Sequence, residues 1–163
     1  MLRSEADQYP EHLQALGLIT VHFALLEFTM ASFVWALLDA DDRTGSIVTA
    51  PQSFRNLTSL VSALFQEKQH DAGHVKELNE LLAKIAGLEE RRNEITHSLW
   101  GRGDGKETLI REKVTARRGK GYKLITEEVR AESLQAIGAD LLEVTSELYA
   151  FKQRFGYIVG RHL

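Results

Sequence analysis

Arg92, Asn93 and His97 are the residues of this chain best suited to chemistry. They fall within one run, Arg92-Asn93-Glu94-Ile95-Thr96-His97. Arginine presents a rigid fork of donors that matches phosphate oxygens. Histidine titrates near neutrality and can take or give a proton. In principle the two suffice to cleave RNA without a metal. The histidine would assist attack by a 2′-OH on the adjacent phosphorus, and the arginine would stabilise the negative charge gained in the transition state. Asn93 would either orient a phosphate or hold the histidine ring. The register makes the arginine conspicuous, because Leu78, Leu81, Ile85, Leu88, Arg92, Ile95 and Leu99 follow in steps of three and four along one helix face. Arg92 thus occupies a core position that leucine would fill at less cost, and a charge turned inward has to be paired or hydrogen-bonded. At about 100° per residue, Asn93, Thr96 and His97 lie roughly 100°, 40° and 140° around the helix from Arg92, along one edge of the apolar face. A purely structural reading stands beside this one: Arg92 pairs with Glu27 or Glu89, and His97 ends the helix, where a cation is favoured.

The elements that position these residues follow from periodicity. A first helix is expected over residues 9–39, with Pro10 in its first turn and the stripe Leu16, Ile19, Phe23, Leu26, Met30, Phe33, Leu37. Residues 39–51, with their acids, Gly45 and Pro51, read as a loop. Ser53 caps a second helix, Phe54–Lys68, that turns Leu57, Leu60, Val61, Leu64 and Phe65 inward. Asp71 caps the third helix, which carries Arg92 and ends before Gly101. Gly101-Arg102-Gly103-Asp104-Gly105 is a break, after which the period changes. Residues 108–117 read as a strand with Ile110, Val114 and Ala116 on one face, Gly119-Lys120-Gly121 as a turn, and residues 122–126 as the return strand. Thr126, Glu127 and Glu128 then read as the start of a last helix with the stripe Leu134, Ile137, Leu141, Val144, Leu148, Phe151, Phe155. The expected fold is all-α: a single domain over residues 1–163, built as an antiparallel four-helix bundle with a short basic β-hairpin, residues 106–126, between the third and fourth helices.

Composition narrows the function classes. A chain of 163 residues with 44% hydrophobic and 26% charged residues is ordinary for one globular domain. The absence of cysteine excludes a disulfide framework, a thiolate metal site and a cysteine nucleophile. The formal charge of −3 argues against a uniformly basic nucleic-acid coat. Between Leu13 and Leu38 the sole formal charge is Glu27, and residues 18–38 are numerous enough to span a bilayer. Glu27 in mid-span, the polar His22, Thr20, Thr29 and Ser32, and the lack of flanking basic residues favour a helix buried on most sides, with no membrane partner and a cytoplasmic location. Glu27 is either a support for Arg92 or His97, together with Thr96, or an acid at a helix edge.

The hairpin carries seven basic residues (Lys106, Arg111, Lys113, Arg117, Arg118, Lys120, Lys123) against Glu107 and Glu112, a local +5 that leaves −8 on the remainder. Arg111, Lys113, Arg117, Arg118 and Lys120 are candidates for gripping RNA, while a solvated strand edge defended by basic residues is the plain alternative. His70 and His74 have the four-residue spacing of helical metal pairs, but Asp71 and Gly73 between them suggest a helix start and no third ligand stands nearby. No metal site and no cofactor is expected. Phosphate-binding glycine loops, a nucleophile elbow and a dinucleotide fingerprint are all missing.

Arg92-Asn93 followed at the required distance by His97, on the third helix of a bundle, resembles the signature of HEPN domains (higher eukaryotes and prokaryotes nucleotide-binding). The wider segment through Ser98-Leu99-Trp100-Gly101 is similar to bacterial HEPN-like proteins whose motif helix ends in His-x-x-Trp, and Phe23-Ala24-Leu25-Leu26-Glu27 resembles their first helix. The resemblance implies a metal-independent endoribonuclease with Arg92, His97 and Asn93 as its catalytic residues. It also implies a homodimer in which the motifs of two subunits face each other. Some relatives are toxins paired with a nucleotidyltransferase antitoxin or act in phage defence. Others are inactive and bind nucleotide, RNA or a protein partner, so both outcomes stay open.

Overall fold

The computed structural model describes residues 9–102, 108–117 and 121–157. Among these, five helices and three strands follow in the order α1 (Pro10–Leu37), α2 (Asp42–Thr49), α3 (Phe54–Lys68), α4 (Ala72–Thr96), β1 (Leu99–Arg102), β2 (Thr108–Arg117), β3 (Gly121–Arg130) and α5 (Ala131–Arg154). The protein is predominantly helical, with a small antiparallel sheet in the order β1-β2-β3. It divides into two compact units, one of Met1–Val21 with Leu88–Asp140 and the other of His22–Gly87 with Leu141–Leu163.

The first unit holds the sheet. Strands β2 and β3 pair over ten positions from Thr108↔Arg130 to Arg117↔Gly121, and β1 pairs with β2 from Leu99↔Glu112 to Arg102↔Leu109. Three sequence expectations change here. Leu99 does not extend the stripe of α4, because the helix stops at Thr96 and Leu99 opens a third strand as an exposed residue. Gly101 lies in that strand and is not a break. Thr126, Glu127 and Glu128 do not start a helix: they continue β3, since Thr126 pairs with Glu112 and Glu127 with Arg111, and α5 begins at Ala131. The inward residue of β2 is Leu109, while Val114 is exposed; the side chain of Ala116 lies outside the described residues. Buried His12 ties α1 to β3 through Nε2 and the Val129 carbonyl at 3.0 Å, with the Tyr9 ring edge-on to it.

The second unit is an all-helical core. The α1 stripe from Phe23 to Leu37, Leu57, Val61 and Phe65 of α3, Leu78, Leu81 and Ile85 of α4, and Leu141, Val144, Leu148 and Phe151 of α5 are all buried, as their spacing predicts. Ser53 caps α3 by accepting from Asn56 N at 3.2 Å, and Asp71 Oδ1 accepts from Gly73 N and His74 N at the start of α4. These bonds to backbone N–H groups hold the Asp71 carboxyl below its ordinary pKa. The expected loop at residues 39–51 is wrong, because α2 forms there. Asp41 caps it, accepting from Thr44 N and Thr44 Oγ1 at 2.9 Å each, which likewise lowers the Asp41 pKa. Gly45 is present for space and not to break the helix. A Cβ built on it would stand 2.3 Å from Cγ of Trp35. Trp35 Nε1 donates to Thr49 Oγ1 at 2.8 Å, and Thr49 Oγ1 donates to the Gly45 carbonyl.

Helix α1 departs from expectation in its surroundings. By length and composition it could cross a membrane, yet 44% of its most hydrophobic stretch is buried. It is buried on one face and not on most sides, because its second apolar row, including Leu18, Val21 and Leu25, remains exposed.

Lys152 is the unusual group of the helical unit. It is 4% exposed beside the ring cluster of Phe33, Phe65, Phe151, Phe155 and Tyr157. Its Nζ donates to Ser32 Oγ at 2.6 Å and reaches the Thr29 carbonyl at 3.4 Å, and it lies 5.8 Å from the Phe33 ring centre. Burial pushes its pKa down to about 8 from the ordinary 10.5.

Two outcomes follow. Gly45→Ala should lower the free energy of unfolding by about 1–3 kcal/mol, because Trp35 has to shift; chemical denaturation checks this. Below pH 8 Lys152 is charged in both folded and unfolded chains, and its burial opposes folding in full. Between pH 8 and 10.5 the unfolded chain binds the extra proton, so this penalty is relieved as pH rises. The stability of wild type relative to Lys152→Met should therefore increase across that window, by on the order of 3 kcal/mol, in denaturation curves taken at several pH values.

Candidate functional site

The candidate site lies in the first unit, where α4 ends. The last carbonyls of a helix lack partners within it and need others. Here side chains supply them. Ser98 Oγ donates to the Glu94 carbonyl, and Trp100 Nε1 donates to the Ile95 carbonyl at 3.1 Å. His97 N still bonds the Asn93 carbonyl at 3.1 Å, so the histidine occupies the turn that follows α4. The chain then enters β1 with Trp100 opposite Arg111.

Arg92 is half-buried at the register that Leu88 and Ile95 fill with buried apolar side chains. Its Nη1 donates to Asn93 Oδ1 at 2.9 Å. Asn93 is also half-buried, so it steadies the guanidinium. Thr96 is exposed and its Oγ1 donates back to the Arg92 carbonyl at 3.0 Å, a local helix bond that leaves no evident duty in a site. The His97 side chain is exposed. The structure thus places Arg92, Asn93, Thr96 and His97 on one helix end, with Arg92 and Asn93 directly bonded. Glu27, the expected support, is an exposed residue of α1 in the other unit.

The hairpin residues divide. The Arg111 side chain is 13% exposed and forms ion pairs with Glu127 at 2.6 Å and Glu94 at 3.8 Å. Lys113 Nζ lies 3.4 Å from Glu94 Oε1. Both cations are engaged with carboxylates, which draws their charge away from any phosphate. Arg117 ends β2, with a side chain outside the described residues, as are Arg118 and Lys120 entirely. Glu94 went unnoticed in the sequence. It joins the motif helix to the sheet through Arg111 and Lys113, and no local pattern announces it, since the pairing depends on strand register. The role of Trp100 was half visible as the final residue of His-x-x-Trp, but its hydrogen bond could not be read from spacing.

His70 is exposed and His74 packs its ring 4.8 Å from that of Phe155. Among the described residues, no group of three or more histidine, aspartate or glutamate side chains is arranged to hold a metal ion.

No family model, curated protein or solved structure matches this chain.

Trp100→Phe keeps the ring but leaves the Ile95 carbonyl without its donor. Amide hydrogens of residues 97–102 should exchange several-fold faster, with a loss of about 1 kcal/mol in local opening free energy and little change in overall unfolding.

Proposed function

We propose that this protein is a HEPN-like, metal-independent endoribonuclease that acts as a homodimer. The observation that carries the reading is the Arg92–Asn93 pair beside exposed His97 at one helix end. A half-buried arginine held by a neighbouring amide is preorganised to receive phosphate, while an exposed histidine is accessible to a 2′-OH. The four long helices α1, α3, α4 and α5 match in number the bundle that the resemblance implies, and α4 would be its motif helix. In the proposed step the 2′-oxygen bonds to phosphorus and the bond from phosphorus to the 5′-oxygen breaks. His97 of one subunit accepts the 2′ proton, and the partner's copy of the same residue supplies one to the leaving oxygen. Arg92 neutralises the charge gained by the phosphoryl oxygens. The products are a 2′,3′-cyclic phosphate and a 5′-hydroxyl. A toxin or defence role, with or without a nucleotidyltransferase-type antitoxin, is compatible with this chemistry.

The ion pairs of Arg111 and Lys113 favour a second reading, a non-catalytic HEPN-like module that binds nucleotide, RNA or a protein partner. Basic side chains already matched by Glu94 and Glu127 make a poor channel for a long RNA.

Purified protein incubated with total and transfer RNA in EDTA separates the two. Wild type should cleave. His97→Ala and Arg92→Ala should each lose roughly 100-fold or more, as removal of a proton-transfer group or a charge-stabilising donor does. Asn93→Ala should lose less, because Arg92 remains. Cleavage that requires a divalent ion, or that persists unchanged in His97→Ala, would overturn the ribonuclease reading.

A further inference from the structure

We infer that Arg111 and Lys113 form a phosphate-binding subsite that Glu94 occupies in the free protein, so that a phosphodiester enters by displacing this carboxylate. The inference deepens the ribonuclease reading and rests on it for the source of the phosphate, a strand of RNA.

The subsite follows from strand register. Arg111 and Lys113 are two residues apart on β2, so their side chains leave the same face of the sheet about 7 Å apart. Trp100 and Glu127, opposite Arg111 in β1 and β3, share that face. Glu94 of α4 meets the two cations with a different oxygen for each. Its Oε2 lies 3.8 Å from Arg111 Nη1, and its Oε1 lies 3.4 Å from Lys113 Nζ. One negative charge shared over two oxygens is also what a phosphodiester offers through its two non-bridging oxygens. Arginine and lysine are the usual side chains that receive them. The carboxylate is thus an internal stand-in for the ligand.

Three features make Glu94 the partner that gives way. Its contacts are longer than the roughly 2.7–2.9 Å of a full charge-assisted bond, whereas Glu127 holds Arg111 at 2.6 Å. Its side chain is 50% exposed, against 13% for Arg111 and 27% for Lys113, and an ion pair with an exposed, long side chain contributes little. The third feature is charge. Arg111 and Lys113 balance Glu94 and Glu127, and exchange of Glu94 for one phosphodiester preserves that balance. A second phosphate would find no further unmatched cation among these four groups. The subsite therefore takes a single phosphate and not a run of them, in keeping with the poor fit to a long RNA. Glu94 lies three positions before His97, the spacing of neighbours on one side of a helix. The phosphate held here is accordingly a neighbour of the one that His97 would act on.

The test measures binding without cleavage. A short, fluorescein-labelled, single-stranded RNA is titrated by fluorescence anisotropy with the full chain in the His97→Ala background, which keeps the RNA intact. Glu94→Gln preserves size and removes the charge, and it should bind about 5-fold more tightly than its parent. In the presence of Lys113→Met the same substitution should give little gain, because Glu94 then masks one cation fewer. Glu90→Gln removes a carboxylate one turn earlier on the same helix and should leave affinity unchanged, which separates the subsite from net charge. Glu94 is half exposed, so circular dichroism and the melting temperature of Glu94→Gln should stay close to those of the parent. Equal or weaker binding by Glu94→Gln overturns the inference, as does a gain that survives Lys113→Met or is matched by Glu90→Gln. Absence of binding by every variant overturns it too. Uridine monophosphate in place of the RNA distinguishes the source: a gain for RNA alone supports the strand, and an equal gain for the mononucleotide overturns the phosphodiester in favour of a free nucleotide. A gain in binding without cleavage by wild type supports the subsite and removes the ribonuclease reading, while cleavage without the gain does the reverse.

Discussion

The first unit depends on how α4 stops. The last carbonyls of a helix have no partners within it and must be satisfied from outside. Ser98 and Trp100 occupy two of these carbonyls within a span of seven residues. The end of the helix thereby becomes the start of β1, and β1 enters the register that brings Arg111 opposite Trp100 on one side and Glu127 on the other. Glu94 closes the arrangement from the helix side. Arg92 and His97 stand on either side of this junction, one within the last turn and a half of helix and the other just beyond it. The geometry of the candidate site is therefore set by capping and strand pairing at least as much as by the helix that bears the motif.

Where many residues agree on one period, the sequence was readable. The stripes of α1, α4 and α5 extend over several turns, and α3 has both a capping serine and a compact apolar face. No single tertiary contact could redirect them. The misread places have two signals in competition. Gly45 and the acids around it look like loop residues, yet Asp41 is a cap and the glycine makes room for an indole that lies ten residues earlier in the chain. Thr126, Glu127 and Glu128 have the composition of a helix start, but partners on β2 outweigh that local preference, as cross-strand pairing commonly does. At the candidate site, residue types and spacing put Arg92, Asn93 and His97 forward as one group on α4. They did not reveal that the asparagine holds the arginine instead of the histidine, because that choice depends on side-chain torsions.

The two units treat their charged side chains in different ways. The sheet unit places its charges in a chain of pairs, Glu94 with Arg111 and Lys113, and Arg111 with Glu127. The helical unit buries Lys152 with a hydroxyl, a carbonyl and an aromatic ring as its neighbours. Hydrogen bonds of this kind satisfy the donors of an ammonium group without matching its charge, which is why its proton is loosely held. Such a group costs stability while it is charged. The Ser32 hydroxyl has both its roles filled, donating to the Thr29 carbonyl and accepting from Lys152, so the neighbouring turns of α1 and α5 have little freedom to slide past each other.

The contact between Gly45 and Trp35 has a consequence for the history of the sequence. An indole face pressed on the backbone of a glycine makes the two positions one unit of change. A methyl group at 45 forces the indole at 35 to shift, and a smaller side chain at 35 would leave a hollow that invites a larger one at 45. Descendants of this chain should alter the two sites together or not at all, and the order in which the changes occur should matter. Shrinking the aromatic first passes through a cavity, whereas enlarging the glycine first passes through a collision.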